Sequence, residues 1–545
     1  MARRSVHALL VALVAIAVLR VRAAPDGARG FTFPDAYHYA DIGRQIARGD
    51  GMTTLQTYPY VLAWLRETGL PTAPPWPNVT RFPLLPLMYA PCFRIAGADE
   101  HATRRIGDAF WVATAVATFL LGAALFGTGP GLLAAGFQVL SLTPLGFVRA
   151  GLPDLPASLA IVAATLGVAV IVAPRSERDG DGGATRSALR RAAPLGLGLL
   201  LGLAFLLRYD LIALLAAAFA VIASGRGTAG RRAAALVLAG WLVPVALWLV
   251  HGALATGVPG AYLGLDRNLL GRDGVRDVYA SATWESPWSV LRREPGVLAA
   301  KLAQLAWPVR AWRDLFGWRL AWLAPLSLVA LAALVRARHA AERAALFVAL
   351  SFVMRSLIFT VTHHEARFHA SFAPVLLVLT VGAGSALAPS MPMRPRVRTA
   401  AAAIASFLLL ACFAVTQVPI RQVANAHRFA TPPDATYDAI RARLPQEAVL
   451  ASTESEAVAW LAERAVVRAG PEVVATVEGL GVRVDGLLYS SRSVAPVERA
   501  LVRQGLGGEF VQVSSGPALT LWLRRPLVPA WNEPATTASR DGQAG

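Results

Sequence analysis

Lysine is almost missing from this sequence: Lys301 is the only one, so a net charge of +18 rests almost wholly on arginine. Cysteine is nearly as scarce, with Cys92 and Cys412 far apart in the chain. That pair makes neither a disulfide framework nor a cysteine metal site, and it leaves the redox compartment unread. No internal repeat is visible. Apolar residues are abundant: 55% of 545 residues are hydrophobic and the mean hydropathy is +0.49. Apolar runs of about 16 to 23 residues recur, so the chain is an α-helical polytopic membrane protein rather than a string of soluble domains. Its basic charge then calls for no nucleic acid, because polytopic proteins carry excess arginine in their cytoplasmic loops.

Eleven runs read as spans, at residues 6 to 23, 106 to 126, 129 to 147, 155 to 173, 193 to 207, 210 to 224, 233 to 251, 318 to 335, 344 to 361, 368 to 388 and 400 to 418. Residues 82 to 97 are apolar too, but short and broken by Pro83, Pro86 and Pro91. We read them as lying along the membrane surface; counting them as a span would invert everything downstream. Arginine placement supports this choice. It puts Arg3-Arg4, Arg175 to Arg191, Arg226 to Arg232, Arg336 to Arg343 and Arg394 to Arg398 inside. Residues 24 to 103, 148 to 154, 252 to 317, 362 to 367 and the tail from 420 then face outward. Arg20 and Arg22 stand where a signal-cleavage site would need small residues, so the first run is expected to stay as an anchor. The expected location is the plasma membrane, with the N-terminus cytoplasmic.

Three regions follow: a transmembrane module over 1–419, an extracytoplasmic α/β domain over 420–525 and a disordered tail over 526–545. The second alternates helical pieces (434–443, 454–463, 496–504) with strand-like runs (449–452, 466–468, 486–489, 510–513, 519–523). The third is rich in Pro, Ala, Thr, Ser and Gly. Residues 175 to 192 read as a flexible cytoplasmic linker.

Charged clusters collect at the outer ends of spans. Asp35 follows the first span, in Phe33-Pro34-Asp35-Ala36-Tyr37-His38-Tyr39-Ala40. Pro34 and Asp35 also suit the first turn of a helix, so a cap without chemistry is the plain alternative. Small residues Ala36, Ala40, Gly43 and Ala47 stripe that helix, which stops at Gly49-Asp50-Gly51. Asp154 lies in Pro153-Asp154-Leu155-Pro156, where a cap is again the alternative. Arg208-Tyr209-Asp210 joins the fifth and sixth spans; the alternative there is an ion pair that only interrupts an apolar run. His363-His364-Glu365-Ala366-Arg367-Phe368-His369 stands at the outer entrance of the tenth span. Its adjacent His and Glu lack the spacing of helical His-Glu metal motifs. Arg355 lies within the ninth span, where an unpaired charge is costly; a paired or functional role competes with snorkelling. Trp284, Trp288, Trp307 and Trp312 read as an interfacial belt, with an acceptor lid as the alternative. Asn78-Val79-Thr80 matches a glycosylation pattern short enough to arise by chance.

Taken in order, these pieces resemble the GT-C class of polytopic glycosyltransferases. They look most like bacterial relatives of protein O-mannosyltransferases and aminoarabinose transferases. The matching stretches are Asp35 to Gly51, Arg81-Phe-Pro-Leu-Leu-Pro-Leu, Pro153-Asp154, Leu207-Arg208-Tyr209 and Glu365 to Pro374. The resemblance runs from residue 6 to about 390. The chain departs from the pattern at Ala36, where relatives often carry a second acid, and at Phe368, where they carry Tyr. Those departures leave the metal requirement and the sugar open.

The resemblance implies transfer of a sugar from a polyprenyl-phosphate donor to an acceptor hydroxyl on a glycan, lipid or protein outside the membrane. Asp35 would be the general base, and one displacement would invert the anomeric carbon. Arg208 or Arg367 would meet the departing phosphate, with His364 and Arg355 as further candidates. Asp154 would orient acceptor or sugar, or help hold a divalent metal; no other cofactor is implied. A lipid or sugar transporter is the rival reading, though it would show paired halves and polar groups near the midplane. A noncatalytic scaffold is a third.

Overall fold

The computed structural model describes residues 10–19, 31, 33–140, 151–173, 183–225, 227–261, 339–362, 367–387, 435–490, 494–515 and 518–532, plus scattered positions between 292 and 299. Helix α1 is Leu10–Leu19. Helix α2, Pro34–Arg48, starts on a proline whose fixed φ suits a first turn and stops at Gly49, in the left-handed region at φ 95°. After it come strands β1 (Thr53–Thr54) and β2 (Gln56–Thr57), helix α3 (Pro59–Glu67), strand β3 (Trp76–Pro77) and helix α4 (Leu84–Ala96). Helices α2 and α4 pack closely because position 43 is glycine; a Cβ there would come within 2.8 Å of the Tyr89 Cβ.

The membrane portion continues with α5 (Glu100–Phe126), α6 (Thr128–Leu140), α7 (Asp154–Val172), α8 (Gly183–Leu207), α9 (Ile212–Ala223), α10 (Thr228–Thr256), α11 (His339–Val361), α12 (Arg367–Ala370) and α13 (Ala373–Leu387). Among the described residues α5, α7 and α10 are long and apolar enough to cross a bilayer, and α1, α4 and parts of α8, α9 and α13 are shorter apolar helices. On α10, Leu238, Leu242, Val243, Leu247, Val250 and Leu254 are exposed at helical spacing, a stripe suited to lipid. The structure thus supports a helical membrane protein with a small sheet domain. The expected runs at 318 to 335 and 400 to 418 lie outside the described residues, as does most of the tryptophan-rich loop.

The remaining elements are α14 (Ala435–Arg443), β4 (Val449–Ser452), α15 (Ser455–Ala457) with a π-helical turn over Val458–Ala462, β5 (Ala465–Arg468), α16 (Val474–Gly479), β6 (Gly486–Ser490), α17 (Val494–Arg503), β7 (Phe510–Ser515), β8 (Leu519–Arg524) and α18 (Val528–Asn532). They build a six-stranded sheet ordered β2-β5-β4-β6-β8-β7, parallel from β2 to β6 and antiparallel from β6 to β7. Its edge strand β2 comes from the loop after α2, with Gln56 opposite Val466 and Thr57 opposite Val467.

The sheet is covered on both faces, as parallel sheets require. One face packs Val449, Val467, Leu487 and Trp522 against Tyr58, Leu62 and Trp64 of the first loop. The other packs Leu450, Val466 and Leu488 into the cluster that contains Ala36, Tyr37 and Ala40 of α2. Segments nearly four hundred residues apart in sequence therefore share one core, a packing that the sequence left open. The helical turns also continue to Asn532, past the expected start of the disordered tail at 526; Trp531 is buried, with the Arg443 guanidinium 5.3 Å from its ring.

Candidate functional site

Asp35 sits in the first turn of α2, about one third exposed, and accepts a hydrogen bond from Arg81 Nη2 at 2.6 Å. Arg81 is presented by a turn that Asn78 ties together. The Asn78 side chain accepts from the backbone N–H of Thr80 and Arg81 and donates to the Arg81 carbonyl. Buried in that role, Asn78 is a turn residue rather than an exposed glycosylation acceptor. Arg81 Nε donates to His38 Nδ1 at 3.1 Å, and its guanidinium lies 5.5 Å from the Tyr39 ring centre. His38 is fully buried. Burial first, and the Arg81 charge second, hold its pKa well below the ordinary histidine value, so it stays neutral and accepts from Arg81.

A second cluster joins four elements. Asp154 opens α7 and accepts from Arg208 Nη1 at 2.9 Å; Arg208 Nε donates to Asp210 Oδ1, also at 2.9 Å. Asp210, in a 3-10 turn, takes a further short bond from Arg355 Nε on α11. Arg355 also donates to Ser371 Oγ, just before α13. Arg355 and Asp210 are both fully buried. Next to them the Tyr209 hydroxyl meets Thr362 Oγ1 at 3.0 Å. Arg355 thus does not snorkel: it is ion-paired in the interior, the condition under which a charge is tolerated there.

The two clusters meet at α2. Burial raises the Tyr39 pKa; the nearby charges act less strongly, Arg81 and Arg208 lowering it and Asp35 and Asp154 raising it. Gly151, at φ 65°, brings the segment before Asp154 against the first turn of α2; a Cβ on it would lie 3.1 Å from the Ala36 Cβ and 3.2 Å from Phe31. Ala36 is fully buried, next to Gly151.

Of the residues singled out from sequence, Asp35, Asp154, Arg208 and Arg355 come together around the neighbouring ends of α2, α7, α8 and α11. His364 lies outside the described residues, and Arg367 starts α12 with its side chain outside them. Arg81, His38 and Tyr39 were quoted in the sequence only as parts of motifs. Nothing in the local pattern marks them, because their partners come from other segments. For a divalent metal the donor set fits poorly. Asp35, Asp154 and Asp210 each face an arginine, and no group of three His, Cys, Asp or Glu converges among the described residues.

No family model and no curated protein matches the chain. Solved structures do. ArnT from Cupriavidus metallidurans bound to undecaprenyl phosphate superposes with a TM-score of 0.60 at 14% identity, covering 98% of this chain and 100% of that one. The oligosaccharyltransferase AglB from Archaeoglobus fulgidus, in complex with an inhibitory peptide and a dolichol-phosphate, gives 0.55 at 14% identity over 98% of this chain and 75% of that one. The Archaeoglobus fulgidus oligosaccharyltransferase with zinc and sulfate gives 0.54 at 15% identity over 94% and 72%. At such identities the likeness is one of fold. In fold, this membrane protein is similar over almost its whole length to ArnT and AglB, glycosyltransferases of the GT-C type.

Proposed function

We propose that the protein transfers a sugar from a polyprenyl-phosphate donor to an acceptor hydroxyl at the outer membrane surface, with inversion. The observation that carries this reading is Asp35, part-exposed and hydrogen-bonded to Arg81 beside the Asp154–Arg208 pair. A lipid-phosphate substrate, of the kind named for the ArnT and AglB structures, keeps its tail in the bilayer and brings its headgroup to such a mouth.

Asp35 takes the acceptor hydroxyl proton as that oxygen attacks the anomeric carbon. The bond from that carbon to the phosphate oxygen breaks, and polyprenyl phosphate leaves with the electron pair. The dianion that develops needs fixed positive partners, and Arg81 and Arg208 are held ready by their own hydrogen bonds. Arg367 and His364 are further candidates for this anion. Asp154, anchored to Arg208 through one oxygen, orients sugar or acceptor; its Oδ2 is buried without a hydrogen-bond partner among the described residues. Arg355 acts behind Arg208, through Asp210. The N-terminus lies in the cytoplasm and the sheet domain outside.

The test is sugar transfer in membranes, with a panel of polyprenyl-phosphate sugars and an envelope extract as acceptor, comparing wild type with Asp35→Asn at equal expression. Transfer by wild type and loss in the variant is the expected result. Undiminished transfer in the variant removes Asp35 from the mechanism.

A further inference from the structure

The far end of α2 from Asp35 is held by the sheet domain through an unusual arrangement. Arg44, on the third turn of α2, is 97% buried in its side chain yet makes no contact with the proposed chemistry. Its Nη1 donates to the Trp460 carbonyl at 2.9 Å, and its Nη2 to the Ala459 carbonyl at 2.7 Å and to Asp41 Oδ1 at 2.9 Å. Its guanidinium also stacks 4.6 Å from the Trp460 ring centre. Asp41, fully buried, uses its other oxygen to accept from the Leu55 N–H at 2.7 Å and the Thr54 hydroxyl at 2.9 Å, fixing the chain as it enters β2.

The partner side is built for this contact. Ala459 and Trp460 lie in the π-helical turn, a rare form that releases carbonyls from the ordinary helical ladder and recurs at functional sites. That turn ends at Glu463, which sits at φ 50°; it is the non-glycine residue at positive φ among the described residues. Glu463 accepts from Arg48 Nη2 at 2.6 Å, one turn beyond Arg44 on α2. The Trp460 indole N–H donates to Glu100 at the start of α5, and its ring packs on Phe31 and Phe93.

From these contacts we infer that Arg44 and Trp460 are positioning residues, through which the sheet domain sets the tilt of α2 and hence the place of the Asp35 carboxylate. The inference rests on the proposed role of Asp35. Nine residues separate Asp35 from Arg44, a rise of about 13 Å along a helix. A tilt of roughly 5° at the clamp then moves the carboxylate by about 1 Å, enough to cost up to about a hundredfold in rate where reacting groups must align. The strand exchange at β2 and the two-carbonyl grip on Arg44 make one joint, so the outer domain and the proposed base move as a unit.

The experiment compares wild type with Arg44→Lys, Trp460→Leu and Trp460→Phe in the purified full-length protein, reading sugar transfer and amide hydrogen exchange together. Lysine keeps the charge but cannot grip two carbonyls and Asp41 at once; phenylalanine keeps a face for the guanidinium, whereas leucine does not. Expected is a kcat lower by about tenfold to a hundredfold in Arg44→Lys and Trp460→Leu, with donor KM changed by less than about twofold. Trp460→Phe should recover most of the loss. Exchange should quicken at His38, Tyr39 and Ala40, the turn above Asp35, as well as at the clamp.

Faster exchange confined to residues 44–48 and 458–463 would overturn the inference, as would an unchanged kcat in both disruptive variants. Should wild type transfer no sugar from any donor, the proposed reaction falls, and the exchange at His38 to Ala40 alone decides whether the clamp reaches that turn.

Discussion

Two sets of charges lie near the helix ends around α2 and α7, and they are built differently. Asp210 and Arg355 are fully buried, and with Asp154, Arg208 and Ser371 they form one chain of ion pairs and hydrogen bonds that ties α7, α11 and the segments before α9 and α13. Asp35 and Arg81 are part-exposed and pair with each other at the edge of that structure. Taking charges out of water is costly, and a buried pair persists only while each partner stays in place. The interior set therefore holds helices at fixed positions, whereas the edge pair is part-exposed to water and costs less to break.

The largest effect should come from breaking the interior set. Arg355→Met leaves Asp210 with an uncompensated part of its charge and should destabilise the protein by about 3–5 kcal/mol. Arg81→Met should cost well under half of that; equal losses of unfolding temperature in the two variants would erase the distinction. Asp35→Asn comes next and acts on the other axis. It should lower transfer by about 10²–10⁴-fold while leaving thermal unfolding unchanged, as expected of a general base. Asp154→Asn, by contrast, should lower both transfer and unfolding temperature.

A smaller effect is expected from giving the chain the acid it lacks. Ala36→Asp overpacks the contact with Gly151 and Phe31 and should cost roughly 1–3 kcal/mol, with the buried carboxyl adding to it. A fully stable Ala36→Asp protein would show that the two segments part easily.

The smallest effect is in pH. The folded-state pKa of His38 lies below its ordinary value of 6.5, so the unfolded chain binds the proton more readily. The stability from keeping His38 neutral is complete above that value and drains away as pH falls below it toward the folded pKa. Glu463 shifts in a lower window. Burial pushes its pKa up, but Arg44 and Arg48 outweigh that and hold it below 4.5, so its contribution is lost only as pH falls through the acid range below that value. His38→Gln keeps an acceptor for Arg81 and should flatten the first decline in unfolding midpoints while leaving the second.

Much of the local structure was legible. Strand β4 was expected at Val449 to Ser452 and forms there, and β5, β7 and β8 differ from expectation by one or two residues at an end. Alternation and β-branched runs carry that information within a few positions. The helix expected over 454–463 instead divides into a short α-turn and the π-turn, because Ala459 and Trp460 turn their carbonyls toward Arg44 on a distant segment. Strand β2 is two residues long and signals nothing by itself; only pairing with Val466 and Val467 makes it a strand.

By itself the sequence determined the membrane class, the likeness to GT-C enzymes and the sheet elements of the tail, since hydropathy, period and short motifs act over a few turns of chain. The tertiary structure alone decided that Arg81 faces Asp35, that Arg355 is locked to Asp210, that Ala36 is buried beside Gly151, and that the first loop completes the sheet of the tail domain. Each of these depends on groups far apart in sequence meeting at hydrogen-bond or van der Waals distance, which no local pattern encodes.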